Sequence, residues 1–202
     1  HQSAFISGLY RSGKSFLKAN LILGREKTGI GWWGVPAEML EIDRRYNPAG
    51  EYKDDNGTVK YYDNESDNYT QNHLQLSYSR NLKSSLSFHS AFHYTRGKGY
   101  YEEFKEDEIY SDYGLPVSGL PGPEPATSDL VRRKWMSNDF YGLIYNISHK
   151  GDRISADLGG GTNLYSGDHF GRIIWMRYAG MTDKDHEWYF NNGRKFESSF
   201  YG

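Results

Sequence analysis

Apolar and polar side chains alternate one for one along several stretches of this chain, the period of a strand whose two faces meet different surroundings. Leu17, Ala19, Leu21 and Leu23 share one face against Lys18 and Asn20, and Leu74, Leu76 and Tyr78 oppose Gln75, Ser77 and Ser79. Leu86, Phe88, Phe92 and Tyr94 oppose Ser87, His89, His93 and Thr95. Tyr141, Leu143, Tyr145 and Ile147 stand against Gly142 and Asn146, and Ile154, Ala156 and Leu158 against Ser155, Asp157 and Gly159. Ile22, Ala91 and Ile144 interrupt the polar side and Ser90 the apolar one. With 18 Tyr, 10 Phe and 5 Trp, the composition also favours strands over helices.

The connections carry as much information as the strands. Segments at about 3–11, 14–26, 69–81, 85–98, 134–148, 152–165 and 194–201 read as strands. Tight turns at Arg11–Lys14, Asn81–Ser84 and His149–Asp152 alternate with long excursions over about 27–68, 99–133 and 166–193. In an antiparallel sheet that rhythm puts the tight turns at one end and the long connections at the other. A Greek-key sandwich mixes its loop lengths with less regularity.

No apolar run approaches the roughly 20 residues of a membrane helix. A transmembrane β-barrel exposes apolar side chains only at every second position, so a hydrophilic average is compatible with it. The expected fold is therefore all-β, an antiparallel transmembrane β-barrel segment of about seven strands with short periplasmic turns and long extracellular loops. Bacterial barrels close with an even strand number, so the segment is expected to belong to a longer polypeptide. A net charge of -2 without a long basic run gives no footprint for nucleic acid. The absence of cysteine excludes disulfides and thiolate metal sites. No catalytic motif stands out, and the expectation is a protein that is not an enzyme and needs no cofactor.

Three stretches resemble the barrel domain of TonB-dependent outer-membrane receptors of Bacteroidota-like bacteria. They are RRYNPAGEYKDDNGTVKYYDNESDNYTQNHLQLSYSRNL from Arg44 to Leu82, FHYTRGKGYYEEFKEDEIYSDYGL from Phe92 to Leu115, and GGGTNLYSGDHFGRIIW from Gly159 to Trp175. The resemblance covers much of the chain in the family's order, and it speaks to the family more than to the cargo. It implies a barrel of about 22 strands, of which residues 1–202 would form around a third. It further implies an N-terminal plug and energy from the inner-membrane TonB complex. Neither a plug domain nor a TonB box can be assigned within these residues. The implied function is energised uptake of a scarce nutrient, a ferric siderophore, haem, cobalamin or glycan, across the bacterial outer membrane, whose lipid is the other expected partner. The alternatives are a soluble or surface-exposed β-rich module that binds glycan or protein, and a passive porin-like barrel.

Candidate ligand-binding residues are drawn from in or beside the long connections. Trp32, Trp33, Trp135, Trp175 and Trp188 offer rings that stack on sugars or on catecholate and porphyrin-like ligands, although packing explains them equally well. His169 beside Asp168, and His186 between Asp185 and Glu187, could meet a metal or chelate, with ordinary exposed histidines the commoner case. No resident metal site is expected. His89 and His93 lie about 13 Å apart on a strand, too far for one ion, and are expected to line a wet interior. Asp54-Asp55-Asn56-Gly57 reads as a tight hairpin turn inside the first long connection. Asp54, Asp55, Asp63, Glu65 and Asp67 lack EF-hand spacing for calcium. Gly159-Gly160-Gly161 implies close backbone approach to a plug or a strongly curved neighbour, and residues 116–125 an irregular loop tip.

Overall fold

A computed structural model describes residues 1–115, 126–177 and 186–202. The main strands are β1 (Gln2–Ser12), β2 (Ser15–Gly29), β5 (Ser66–Lys83), β6 (Leu86–Ile109), β7 (Thr127–Lys150), β8 (Ser155–Met176) and β9 (His186–Tyr201). Two short strands, β3 (Glu51–Lys53) and β4 (Val59–Tyr61), form a hairpin of their own between β2 and β5. The seven long strands make one antiparallel sheet in the order β1-β2-β5-β6-β7-β8-β9. The sheet is open, with β1 and β9 as its edges.

All seven expected strands are present, and the hairpin expected around Asp54–Gly57 is β3–β4. Its turn closes through the Gly57 N–H donating to the Asp54 carbonyl at 2.8 Å, with Gly57 at φ 75°. The tight turns are also where the sequence puts them. Ser12 pairs with Ser15 across Gly13 and Lys14, and Gly13 at φ 54° supplies the positive φ of a mirror-image hairpin turn.

The strands outrun the sequence expectation at the opposite end. β6 continues to Ile109, β7 begins at Thr127, β8 runs to Met176 and β9 begins at His186. The connection expected at about 99–133 therefore shrinks to 110–126, and the one at about 166–193 to 177–185. Ion pairs across the strands hold these extensions in place of apolar alternation. Arg133 Nε lies 2.7 Å from Glu102 Oε2, Arg132 Nε 2.9 Å from Glu103 Oε2, and Arg96 pairs with Asp139. A bulge between Lys105 and Glu108 puts Asp107 at φ 51°, a left-handed conformation that Asp tolerates better than most residues.

The pairing register sorts every strand onto the same two faces. One face carries Ile6 and Tyr10 of β1, Leu17 and Leu21 of β2, and Leu74, Leu76 and Tyr78 of β5. It continues through Phe88, Phe92 and Tyr94 of β6 and Tyr141, Leu143 and Ile147 of β7. Leu158 and Leu164 of β8 and Phe196 and Phe200 of β9 complete it. This apolar face is uncovered among the described residues: Leu17 is 42%, Leu143 44%, Phe196 66% and Phe200 69% exposed. Tyr10, Tyr78 and Tyr145 fall in one transverse row toward the tight-turn end, whereas Tyr165 lies on the other face, beside Phe140 and Lys195.

The other face bears Asn20, Gln75, His93 and Asn163, joined by bonds such as Asn20 Nδ2 to Gln75 Oε1 at 3.1 Å and His93 Nε2 to Asn163 Oδ1 at 3.1 Å. Gly97, Gly99, Gly142, Gly159, Gly161 and Gly171 belong to it, as the inside of a curved sheet requires where side chains converge. A hollow of about 450 Å³ lined by β2, β5, β6, β7, β8 and β9 residues identifies it as the concave side.

Within Gly159-Gly160-Gly161 the expected close approach is real and lies inside the sheet. A Cβ on Gly159 would fall 2.5 Å from the Tyr201 ring, and one on Gly160 2.6 Å from the Ser199 carbonyl oxygen. The buried core is small and sits at the long-connection end. Tyr110, Tyr113, Leu115, Leu130, Ile173 and Met176 pack there, where the turn Tyr110–Tyr113 folds over the polar face.

Candidate functional site

Beyond the apolar zone the extended strands and the first long connection build two aromatic surfaces, one on each face. On the concave face, a cavity of about 300 Å³ is lined by Asp67, Tyr69, Tyr101, Lys134, Met136, His169 and Tyr189. Glycines make room for the rings. A Cβ at Gly99 would lie 2.6 Å from Tyr69 Cδ2, and one at Gly171 2.4 Å from both Trp188 and Tyr189.

Burial holds the Tyr69, Tyr101 and Tyr189 hydroxyls above their ordinary pKa, so they remain protonated donors. Burial, and then the charge of Arg132, push Lys134 down, against the attraction of Glu103 and Glu108. Its ammonium lies 5.6 Å from the Tyr101 ring centroid. The cavity thus joins flat aromatic walls, hydroxyl donors and one partly desolvated cation, a combination suited to a ligand with a ring face and acceptor oxygens.

On the convex face Tyr100, Trp135, Phe170 and Phe190 stand side by side on β6, β7, β8 and β9. Trp135 lies 4.4 Å from Tyr100 and is stacked on Phe170 at 5.8 Å with 6° between planes. Arg133 covers Tyr100 at 4.4 Å and Arg172 covers Phe170 at 5.1 Å. The Trp135 Nε1 donor is buried without a hydrogen-bond partner among the described residues.

The β3–β4 hairpin docks beside this row. Tyr52 and Tyr62 meet Phe104 at 4.7 and 6.0 Å, and Glu102, 1% exposed, accepts from the Tyr62 hydroxyl at 2.5 Å and from Asn64 Nδ2 at 2.6 Å. Burial alone would raise the Glu102 carboxyl, but the bonds from Tyr62, Asn64 and Arg133, and the Arg133 charge, outweigh it and hold it low.

The structure separates the residues singled out in the sequence. Trp32, 54% exposed, meets Tyr101 edge-on at 5.2 Å, and Trp33 lies under Lys105 at 6.0 Å. His169 lines the concave cavity, whereas the Trp135 ring stands on the opposite, convex face. Trp175, 47% exposed, lies 6.3 Å from Phe104, and Trp188 packs on Tyr113 and Tyr189, both at 5.1 Å, against the buried core. Trp175 and Trp188 stand on β8 and β9 and not in loops, because the strands extend further than their apolar alternation, while Trp135 stands on β7 as the strand expected over about 134–148 placed it.

His186 donates its Nε2–H to the Tyr113 carbonyl oxygen at 2.8 Å. Asp185 and residues 116–125 lie outside the described residues. Three acidic residues of the first connection, Asp54, Asp55 and Glu65, are held by protein groups. Asp54 accepts from the Asn56 and Thr58 N–H groups and pairs with Lys60 at 2.9 Å, Asp55 reaches Arg177 at 3.0 Å, and Glu65 accepts from the Phe104 N–H at 3.0 Å. Among the described residues no His, Asp and Glu gather as a set of metal ligands.

Sequence reasoning missed Tyr69, Tyr101, Lys134 and Tyr189, which converge from four strands. The only linear signal is glycine beside tyrosine, as in Gly99-Tyr100-Tyr101. Comparisons of the chain with protein-family models, with curated proteins and with solved structures returned no match.

Proposed function

We propose that this chain is part of the barrel wall of a bacterial outer-membrane receptor of the TonB-dependent type. In this reading the convex apolar face meets lipid, the concave polar face meets the interior, and the tight turns face the periplasm. The long-connection end faces outward and captures a scarce nutrient for energised uptake. The observation that carries the reading is the apolar face itself, continuous over all seven strands and uncovered among the described residues. Each Leu or Phe left half exposed in water forgoes on the order of 1 kcal/mol. A patch of that extent marks a covered surface, and its alternation with a hydrogen-bonded polar face matches a membrane strand in period and in sidedness. A self-contained soluble sandwich would instead need a second layer against this face.

The concave cavity supplies the receptor role in this reading. Tyr69, Tyr101, Tyr189 and Lys134 offer stacking, hydroxyl donation and a cation, which suits a ligand that presents rings and oxygens together. Fractionation of the full natural chain tests the assignment. Recovery in the outer membrane, with a gel mobility that changes on heating, is the expected result. Recovery in the aqueous fraction without detergent would overturn it.

A further inference from the structure

The concave cavity carries its polar groups in two adjoining rows of the sheet. Asp67 pairs with Tyr101, Tyr101 with Lys134, Lys134 with Gly171 and Gly171 with Tyr189, which makes one row. Tyr69 and His169 stand in the next, on either side of Gly99 and Met136. Asp67 and Lys134 are thus two strands apart, roughly 10 Å, with Tyr101 between them. Neither has an ion-pair partner among the described residues, whereas the adjoining Arg132 is paired with Glu103 and Glu26 lies 3.6 Å from His1. The cavity therefore offers one free carboxylate and one free ammonium, whose charges cancel.

At the rim of this cavity the chain leaves β2 through Ile30-Gly31-Trp32-Trp33-Gly34. Ile30 is buried and fixed: its N–H donates to the Glu65 carbonyl at 3.4 Å, and its carbonyl accepts from Asn47 Nδ2. The two tryptophans that follow are not buried by that anchor, being 54% and 58% exposed. Trp32 stands at 78° to the Tyr101 ring with 5.2 Å between centroids, so the two rings make a corner beside the cavity. Packing inside the protein does not account for an aromatic ring left more than half open, and a large apolar surface at the edge of a cavity marks a contact surface.

We propose that this cavity, with Trp32 as its lip, holds a neutral pyranose ring of a glycan. The inference rests on the reading of the cavity as the receptor's capture site and names the class of what it captures. A pyranose presents C–H faces to flat rings, and each hydroxyl at its edge both donates and accepts. Tyr101 and Trp32 supply the flat walls, Asp67 accepts, and Lys134 with the Tyr101 and Tyr189 hydroxyls donates, so both roles of a sugar hydroxyl are met. A ferric chelate with several negative charges would be desolvated against a lining whose own charges cancel, and that cost would go unmet. The volume of about 300 Å³ is at the small end of ligand sites, ~300–1,000 Å³, which suits one or two sugar rings and not a porphyrin.

The test is equilibrium dialysis of the full natural chain, taken from whichever cell fraction holds it, against neutral hexasaccharides of glucose, mannose, galactose and xylose and against the iron(III) tris-catecholate anion. At least one hexasaccharide is expected to be retained and the tris-catecholate to stay free. Trp32→Ala is expected to weaken retention of the sugar about tenfold and Asp67→Asn about fivefold, with the urea midpoint of the parent kept in both. Preference for the tris-catecholate, retention of none of the hexasaccharides, or sugar binding that survives both substitutions would overturn the sugar site and leave the membrane reading standing. Sugar binding by a chain recovered in water without detergent would keep the sugar site and overturn the membrane reading.

Discussion

Single residues decide how closely the strands and their rings can approach. Gly171 has Trp188 and Tyr189 at 2.4 Å from where a Cβ would stand, so Gly171→Val forces two rings out of place. We expect a loss of about 1–3 kcal/mol in unfolding free energy, measured by denaturant titration, whereas Gly8→Ala, with open space around it, stays close to the parent. Glu102 is the other pivotal residue, because a buried carboxylate there binds the first connection to β7. Arg133→Ala leaves that charge without its counter-ion and is expected to cost about 3–5 kcal/mol and to open residues 30–65 to protease. The Glu102 carboxyl is lowered in the folded state, so its contribution is complete above the ordinary carboxylate range. It is lost as pH falls through the lowered value, and protease cleavage of the connection should rise there. Neither residue announced its role in the sequence. Glu102 meets Tyr62 and Arg133 from distant positions, and Gly171 meets a strand that begins fifteen residues later at His186. The hairpin turn at Asp54–Gly57 was legible because all its determinants are local.

At the scale of the strand, adjacent residues are expected to give opposite outcomes. Leu143 lies on the convex face and Ile144 on the concave one. In the membrane reading Leu143→Arg places a charge in hydrocarbon and costs about 2–4 kcal/mol, while Ile144→Arg points inward and costs far less. Equal costs, read from urea unfolding of reconstituted protein, would contradict the assignment of the faces. The apolar zone from Leu86 to Tyr94 measures about 27 Å along β6, which a strand tilt of ~40° turns into about 21 Å of height, short of the ~25 Å band of a typical barrel. A short zone thins the surrounding bilayer, so reconstitution should proceed further in short-chain than in long-chain lipids. Strand existence and facing were legible because a period of two is written locally. Strand length was not, because beyond Tyr94 on β6 and before Tyr141 on β7 the alternation gives way to pairs such as Arg96 with Asp139 and Glu102 with Arg133. Those pairs become visible only once the register is known.

For the whole molecule, one open sheet with an apolar convex face and a hydrogen-bonded concave face forms a consistent division of surroundings. The rhythm of tight and long connections foretold which end carries the aromatic cavity, but not its lining, which needs five strands in register. The segment contains no cysteine, so single cysteines can be placed in the full natural chain at each position from Tyr141 to Ile147. Labelling in native membranes with one water-soluble and one lipid-phase maleimide tests the sidedness of the wall directly. The expected result is a strict period of two, with 141, 143, 145 and 147 taking the lipid-phase reagent and 142, 144 and 146 the water-soluble one. Uniform labelling by the water-soluble reagent on both faces would contradict a membrane-spanning wall.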